Sequence, residues 1–222
     1  MHGSLDDVVV YDRALSESQM RDLYNGKVLQ EGLMARWNFE SGDRKIAYDT
    51  SMVTSGLFDT TAISFNQSSY IQLGYMPTTG NFSVSFWVSE DLNSRWHGIV
   101  DKGRNRDPRD WYFLTPNGNC GSPYGSIFRA GSEAGEIDHC WGADKWHHVT
   151  GVWSTVNGGV QKLYVDGELK STSEGQRYTS QGYRIELGRR SDGSNYMKGN
   201  IDELRIYNRT LKESEIESLA FQ

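Results

Sequence analysis

The residues of this 222-residue chain best suited to chemistry lie in its middle, where aromatic rings and planar polar groups crowd together outside any regular pattern. Trp96, Trp111, Tyr112, Tyr124 and Trp141 fall in or beside irregular stretches that also carry Arg104, Arg106, Arg109, Asp110 and Asn119. A ring offers an apolar face on which the C–H side of a sugar can stack, while guanidinium, carboxylate and amide groups bond its hydroxyls. The types and their placement point to a glycan-binding surface lined by Trp96, Arg109, Trp111, Tyr112, Tyr124 and Trp141. Trp37, Trp87, Trp146 and Trp153 sit inside alternating runs and read instead as core or sheet packing.

Other constellations read as structural. His147 and His148 are adjacent in an alternating run, so they point to opposite faces of a strand and cannot chelate one ion. The stretch Lys102 to Asp110, KGRNRDPRD, balances basic against acidic residues and reads as a solvated loop. Cys120 and Cys140 are the two cysteines, both in a Gly-rich polar region. Their pairing is expected, and closing that loop would stabilise the fold by about 3 kcal/mol. A disulfide implies an oxidising compartment, hence secretion or the cell surface.

Positioning falls to strands. Phe82, Val84, Phe86 and Val88 alternate with Ser83, Ser85 and Trp87, which is the period of a half-buried strand. Similar runs occur at Gly32 to Phe39, Ala62 to Phe65, Tyr70 to Leu73, His97 to Asp101, Trp111 to Thr115, Ser126 to Ala130, Lys145 to Ser154, Val160 to Val165, Tyr183 to Leu187 and Ile201 to Tyr207. About a dozen short strands with turns between them and almost no helix predict an all-β, two-sheet antiparallel jelly-roll sandwich with a short C-terminal helix.

The end of the chain occurs twice. Sliding residues 2–23 along by 196 positions pairs Gly3 with Gly199, Asp6 with Asp202, Tyr11 with Tyr207, Arg13 with Arg209, Leu15 with Leu211 and Leu23 with Leu219. Each copy reads as strand, turn and short helix. Thr210 with Glu213 has capping-box spacing, and Ser16 with Gln19 offers the same device shifted by two residues. A period this long is a whole domain. Residues 1–27 are therefore expected to be the closing strand and helix of a preceding repeat, and 28–222 one complete domain. The apolar Leu5, Val8, Val10, Met20 and Leu23 are expected to seek a partner, either the complete domain or a second molecule in a swapped dimer.

The segments GLMARWNFESG, AYDTS, AISFNQSSYIQL, FSVSFWV, KWHHVTGVW, VQKLYVDGEL and GNIDELRIYNRTLKESEI, in that order, resemble the laminin-G-like, concanavalin-A-like jelly-roll domains of extracellular proteins. The resemblance implies a non-catalytic recognition module carried beside other domains, often binding calcium and sometimes glycans. It also places the last strand beside the first, bringing Asp202 to Asp49 as calcium ligands, with Glu40 and Ser51 as helpers. Calcium takes several oxygen ligands from loops; the plain alternative is an Asx-turn at Asp49 and a solvated strand-end charge at Asp202. Related retaining glucanases set carboxylates about 5 Å apart. Glu136-Ile137-Asp138 begins such a spacing, but Trp141 stands where a third acid belongs, so no catalysis is expected.

Composition narrows the partners. A net charge of -6 disfavours a phosphate backbone, and no apolar run is long enough to span a bilayer. The expected reading is an extracellular, carbohydrate-binding, calcium-stabilised module with neither nucleic acid nor membrane as partner. Its rival is a spacer or protein-interaction domain contacting neighbouring domains of a tandem array.

Overall fold

The computed structural model describes residues 33–37, 47–48, 51–53, 62–76, 78–90, 96–103, 110–115, 125–131, 136–141, 145–175, 177–180 and 182–221. Its strands are β1 (Leu33–Trp37), β2 (Ala47–Tyr48), β3 (Ser51–Val53), β4 (Ala62–Asn66), β5 (Tyr70–Tyr75), β6 (Phe82–Glu90), β7 (Gly98–Lys102), β8 (Trp111–Leu114), β9 (Gly125–Ala130), β10 (Ile137–Cys140), β11 (Trp146–Ser154), β12 (Val160–Val165), β13 (Glu168–Glu174), β14 (Arg184–Leu187) and β15 (Lys198–Tyr207). One helix, α1 (Glu213–Ala220), follows. The first sheet runs β13-β12-β11-β6-β15-β4-β3, with β1 also paired to β15; the second runs β10-β9-β8-β7-β14-β5-β2. Every strand pairing described is antiparallel, as alternation predicts.

The core lies between the sheets. Phe82, Val84, Phe86 and Val88 of β6 and Val149 and Trp153 of β11 meet Val100 of β7, Trp111 and Phe113 of β8, Phe128 of β9 and Ile185 and Leu187 of β14. Phe113 and Phe128 stack at 4.7 Å. They do so over Gly151 of β11, where a Cβ would stand 2.5 Å from the Phe113 ring. Each fully buried side chain of this kind contributes about 1.5–3 kcal/mol.

The other face of β6 is buried too, not merely polar. Ser83 donates to the carbonyl of Arg209 at 2.9 Å and accepts the Leu211 N–H at 2.9 Å, so the segment after β15 folds back across it. There α1 docks: Ile216, Leu219 and Leu211 bury against Val152, Tyr164 and Tyr207. A helix this short is held by that packing. Its N-cap is Lys212, whose N–H donates to the Glu215 carboxylate at 2.7 Å, while Arg209 grips the same carboxylate with two 2.7 Å bonds. The cap therefore lies two residues beyond the Thr210 and Glu213 spacing, in the register that Ser16 and Gln19 have in the first copy.

The closing strand β15 is the hub of its sheet. Residues 198–201 pair with β4, Leu204 to Tyr207 pair with β1, and β6 lies along the other side of both halves. The change of neighbour falls at a bulge where Glu203 has φ 51 and its N–H bonds Asp202 Oδ1 at 2.8 Å. Glu203 is buried and held by Arg36 at 2.6 Å and Arg205 at 2.7 Å.

Two local readings change. The strands β10 and β13 complete their sheets where the alternation is too short or too polar to announce them, β13 forming a hairpin with β12 through Asp166 (φ 52) and Gly167 (φ 82). Lys102 and Asp110, expected in a solvated loop, are fully buried and form an ion pair. Lys102 also donates to Thr78 at 3.2 Å and Ser180 at 3.2 Å, and Tyr178 donates to Asp110. Every ammonium proton is thus used, which is what makes a buried charge tolerable.

Candidate functional site

Alternation in the second sheet sends Ile71, Leu73, Ile185, Leu187, Trp111 and Phe113 into the core and their neighbours outward. Facing outward are Tyr70 and Gln72 of β5, Arg184 and Glu186 of β14, Asp101 of β7, Tyr112 of β8 and Arg129 of β9. Those on β5 and β14 form one hydrogen-bonded array. Arg189, just after β14, holds the Glu186 carboxylate through Nε at 2.7 Å and Nη2 at 3.2 Å, and Gln72 donates to the same carboxylate at 3.1 Å. The Arg189 guanidinium lies 3.3 Å from the centre of the Tyr70 ring and donates to the Tyr196 hydroxyl at 3.2 Å. Tyr196 stands edge-on to Tyr70 at 6.3 Å. These two rings are half-buried and so present surface to solvent.

Asp101 faces Glu186 across the β7–β14 ladder and accepts the Ser191 N–H at 2.9 Å. Burial pushes its carboxyl up to about 7, with the neighbouring Glu186 charge adding to the rise and the Ser191 hydrogen bond and Arg190 opposing it. The loop carrying Arg189, Ser191 and Tyr196 lies tight on β7: Gly98 donates to Asn195 at 3.3 Å, and a Cβ at Gly98 would stand 2.2 Å from the Arg189 carbonyl oxygen. Glycine here is what lets the loop, and with it Arg189, settle.

Beside Gly98, Trp96 is half-buried and has φ 56, a left-handed conformation rare for a bulky residue. It packs on Tyr112, Leu114 and Ile127, which form an apolar patch on the outward face of β8 and β9. The Tyr112 hydroxyl donates to Glu136 at 2.6 Å and accepts from Arg129 at 3.1 Å.

Of the residues the sequence singles out, the structure keeps Trp96 partly open on this outward face, sets Tyr112 there but buried, and takes two others away from it. Trp111 is fully buried, with Nε1 donating to Thr78 at 3.0 Å, and Trp141 is in the core against the His147 ring at 5.0 Å; neither can stack on a sugar in this conformation. Arg109 and Tyr124 lie outside the described residues. Alternation nevertheless carried the signal for the array: Tyr70 and Gln72 in YIQL, and Arg184 and Glu186 in RIEL, are polar residues interleaved with core ones. Glu136, considered as a carboxylate catalyst, is occupied by Tyr112 and Arg129. His147 and His148 point apart as expected, His147 to Asp166 at 2.8 Å and buried His148 to Ser85 at 2.8 Å.

The calcium ligands are not assembled by the described residues. Asp49 and Glu40 lie outside them. Ser51 and Asn200 both face Ser64 from opposite sides of β4, so the backbones of Ser51 and Asp202 stand at least about 10 Å apart. Asp202 is buried at the bulge, and no group of three metal-ligating side chains forms among the described residues. Cys140 ends β10 and is not a free thiol, but Cys120 lies outside the described residues. No helix among the described residues is long and apolar enough to cross a membrane.

Comparison with known proteins agrees with this architecture. The profile of the concanavalin A-like lectin/glucanases superfamily matches residues 64–217. Domain 4 of AbnA, a GH43 extracellular arabinanase from Geobacillus stearothermophilus solved in complex with arabinotriose, superposes with a TM-score of 0.61 at 19% identity, covering 89% of this chain and 95% of that one. The binding domain of Paraclostridial Mosquitocidal Protein 1 gives a TM-score of 0.63 at 18% identity over 85% of this chain and 52% of its own. The binding domain of botulinum neurotoxin DC, in complex with SialylT, gives 0.58 at 15% over 79% and 45%. No curated protein sequence matches. At these identities the likeness is one of fold.

Proposed function

Because this chain belongs to the concanavalin A-like lectin/glucanases superfamily, we propose that it is a carbohydrate-binding module whose ligand lies on the outward face of the second sheet. The observation that carries the reading is the pair of half-buried rings Tyr70 and Tyr196 set around planar polar groups, Gln72, Glu186 and Arg189, whose orientations are already fixed, with half-buried Trp96 on the adjoining β8–β9 patch. Rings supply stacking area, and fixed donors and acceptors supply specificity at little further entropic cost. The arabinotriose complex of the arabinanase domain and the SialylT complex of the neurotoxin domain fit a glycan ligand on this fold.

The module acts without catalysis, as a part of a larger secreted or surface protein, with Cys120 and Cys140 paired. A structural calcium ion is proposed at Asp49 and Glu40 on ligand chemistry alone, without Ser51 and Asp202 as joint ligands because their backbones stand too far apart to share an ion; it adds stability rather than chemistry. A glycan array followed by titration calorimetry, with and without chelator, tests these points. Tyr70→Ala and Trp96→Ala are expected to weaken binding about tenfold or more each, as loss of a stacked ring does, and chelator to lower the melting temperature. Silence across neutral and acidic glycans sinks the lectin reading. The spacer reading would then stand, favoured by the match between residues 2–23 and the β15–α1 segment.

A further inference from the structure

We propose that Tyr75 and Arg184 form a subsite for the carboxylate of an acidic sugar, a uronate or a sialate, at the far end of this same face. The inference rests on the glycan-binding reading and sharpens it. Tyr75 is 67% exposed, one of few large apolar side chains so open among the described residues. It pairs with Arg184 across the β5–β14 ladder, and the Arg184 guanidinium stands 5.0 Å from the ring centre. Tyr70 and Tyr75 are five residues apart on β5, an odd spacing that a bulge opposite Arg184 and Glu186 corrects, returning Tyr75 to the face of Gln72; about 13 Å of strand separates them, so the rings span room for an oligosaccharide rather than a single sugar.

Charge makes the subsite anionic in preference. Arg36, Arg129, Arg189, Arg205 and Arg209 each face a glutamate. Arg184 instead donates Nη1 to the Gln72 side-chain oxygen at 2.7 Å. That oxygen is aimed because the Gln72 amide nitrogen is committed to Glu186 at 3.1 Å, and Glu186 is gripped by Arg189. A guanidinium has five donors in a planar fork that matches a carboxylate. Arg184 is thus an exposed cation, oriented by a neutral amide and a ring, with no carboxylate in contact among the described residues. The fixed array below it orients the fork before a ligand arrives.

The test is calorimetry of the whole chain with matched pairs: digalacturonate against galactobiose, and sialyllactose against lactose, at low and high salt. The expected result is a preference of about tenfold for one acidic member over its neutral counterpart, as a charge-assisted bond supplies, shrinking with salt. Which pair shows it tells uronate from sialate. Arg184→Gln should abolish the preference, and Tyr75→Ala should weaken both members. Equal affinity within each pair, or a preference that survives Arg184→Gln, overturns the subsite while the face remains a lectin. Loss of all glycan binding in the wild-type chain overturns the lectin reading itself.

Discussion

Two buried titrating residues set opposite pH dependences, and Asp101 is the one that can be isolated. Its carboxyl is pushed up to about 7 by burial, so its contribution to stability is full below about pH 4 and is lost as pH rises through 7. His148 runs the other way. Burial first, and the Arg205 charge second, hold it down to about 3, so its contribution is full above pH 6.5 and fades as pH falls toward 3. Between pH 4 and 6.5 the two slopes oppose one another. Asp101→Asn removes one of them: by chemical denaturation the variant should gain up to about 4 kcal/mol relative to wild type at pH 8 over its value at pH 4, and should lose stability more steeply than wild type on acidification. Parallel profiles for the two proteins would show that Asp101 is not held protonated by its surroundings.

At the scale of elements, the loop that carries Arg189 and Tyr196 owes its seat to one missing methyl group on β7. Gly98→Ala puts a carbon within 2.2 Å of the Arg189 carbonyl oxygen. Backbone cannot give as a side-chain tip can, so the loop must lift, at a cost of about 1–3 kcal/mol in stability. Glycan affinity should fall with it, because Glu186 loses its clamp; unchanged affinity would mean that the loop takes no part in binding. The strands that flank this loop were readable from their alternation. The loop's role was not, since Gly98 looks like any strand glycine until its neighbour across the gap is known. The same limit explains Trp111 and Lys102. Trp111 borders an irregular, charged stretch and so resembles a surface ring, while Lys102 opens that stretch and so resembles a surface charge. Both are core because β7 and β8 bring them over Thr78, a residue more than twenty positions upstream.

For the whole molecule, the duplicated segment is the informative feature. The large buried apolar side chains from β15 through α1 have apolar or identical counterparts near the start of the chain: Ile201 and Leu5, Leu204 and Val8, Ile206 and Val10, Tyr207 and Tyr11, Leu211 and Leu15, Ile216 and Met20, Leu219 and Leu23. In β15 and α1 these side chains belong to a central strand and a docked helix, and the same pattern in residues 5–23 is the ground for expecting a partner there. Deleting residues 1–27 should therefore change either the solution mass or the melting temperature, read by light scattering and calorimetry; a truncated chain identical in both would end the idea that the segment has a partner. The strand that joins β1, β4 and β6 also follows all three of them in the chain. A ribosome must release residues 198–207 before the first sheet can close, so until then the nascent chain carries an open slot along β6, and vectorial synthesis leaves this sandwich in the care of whatever shields that slot.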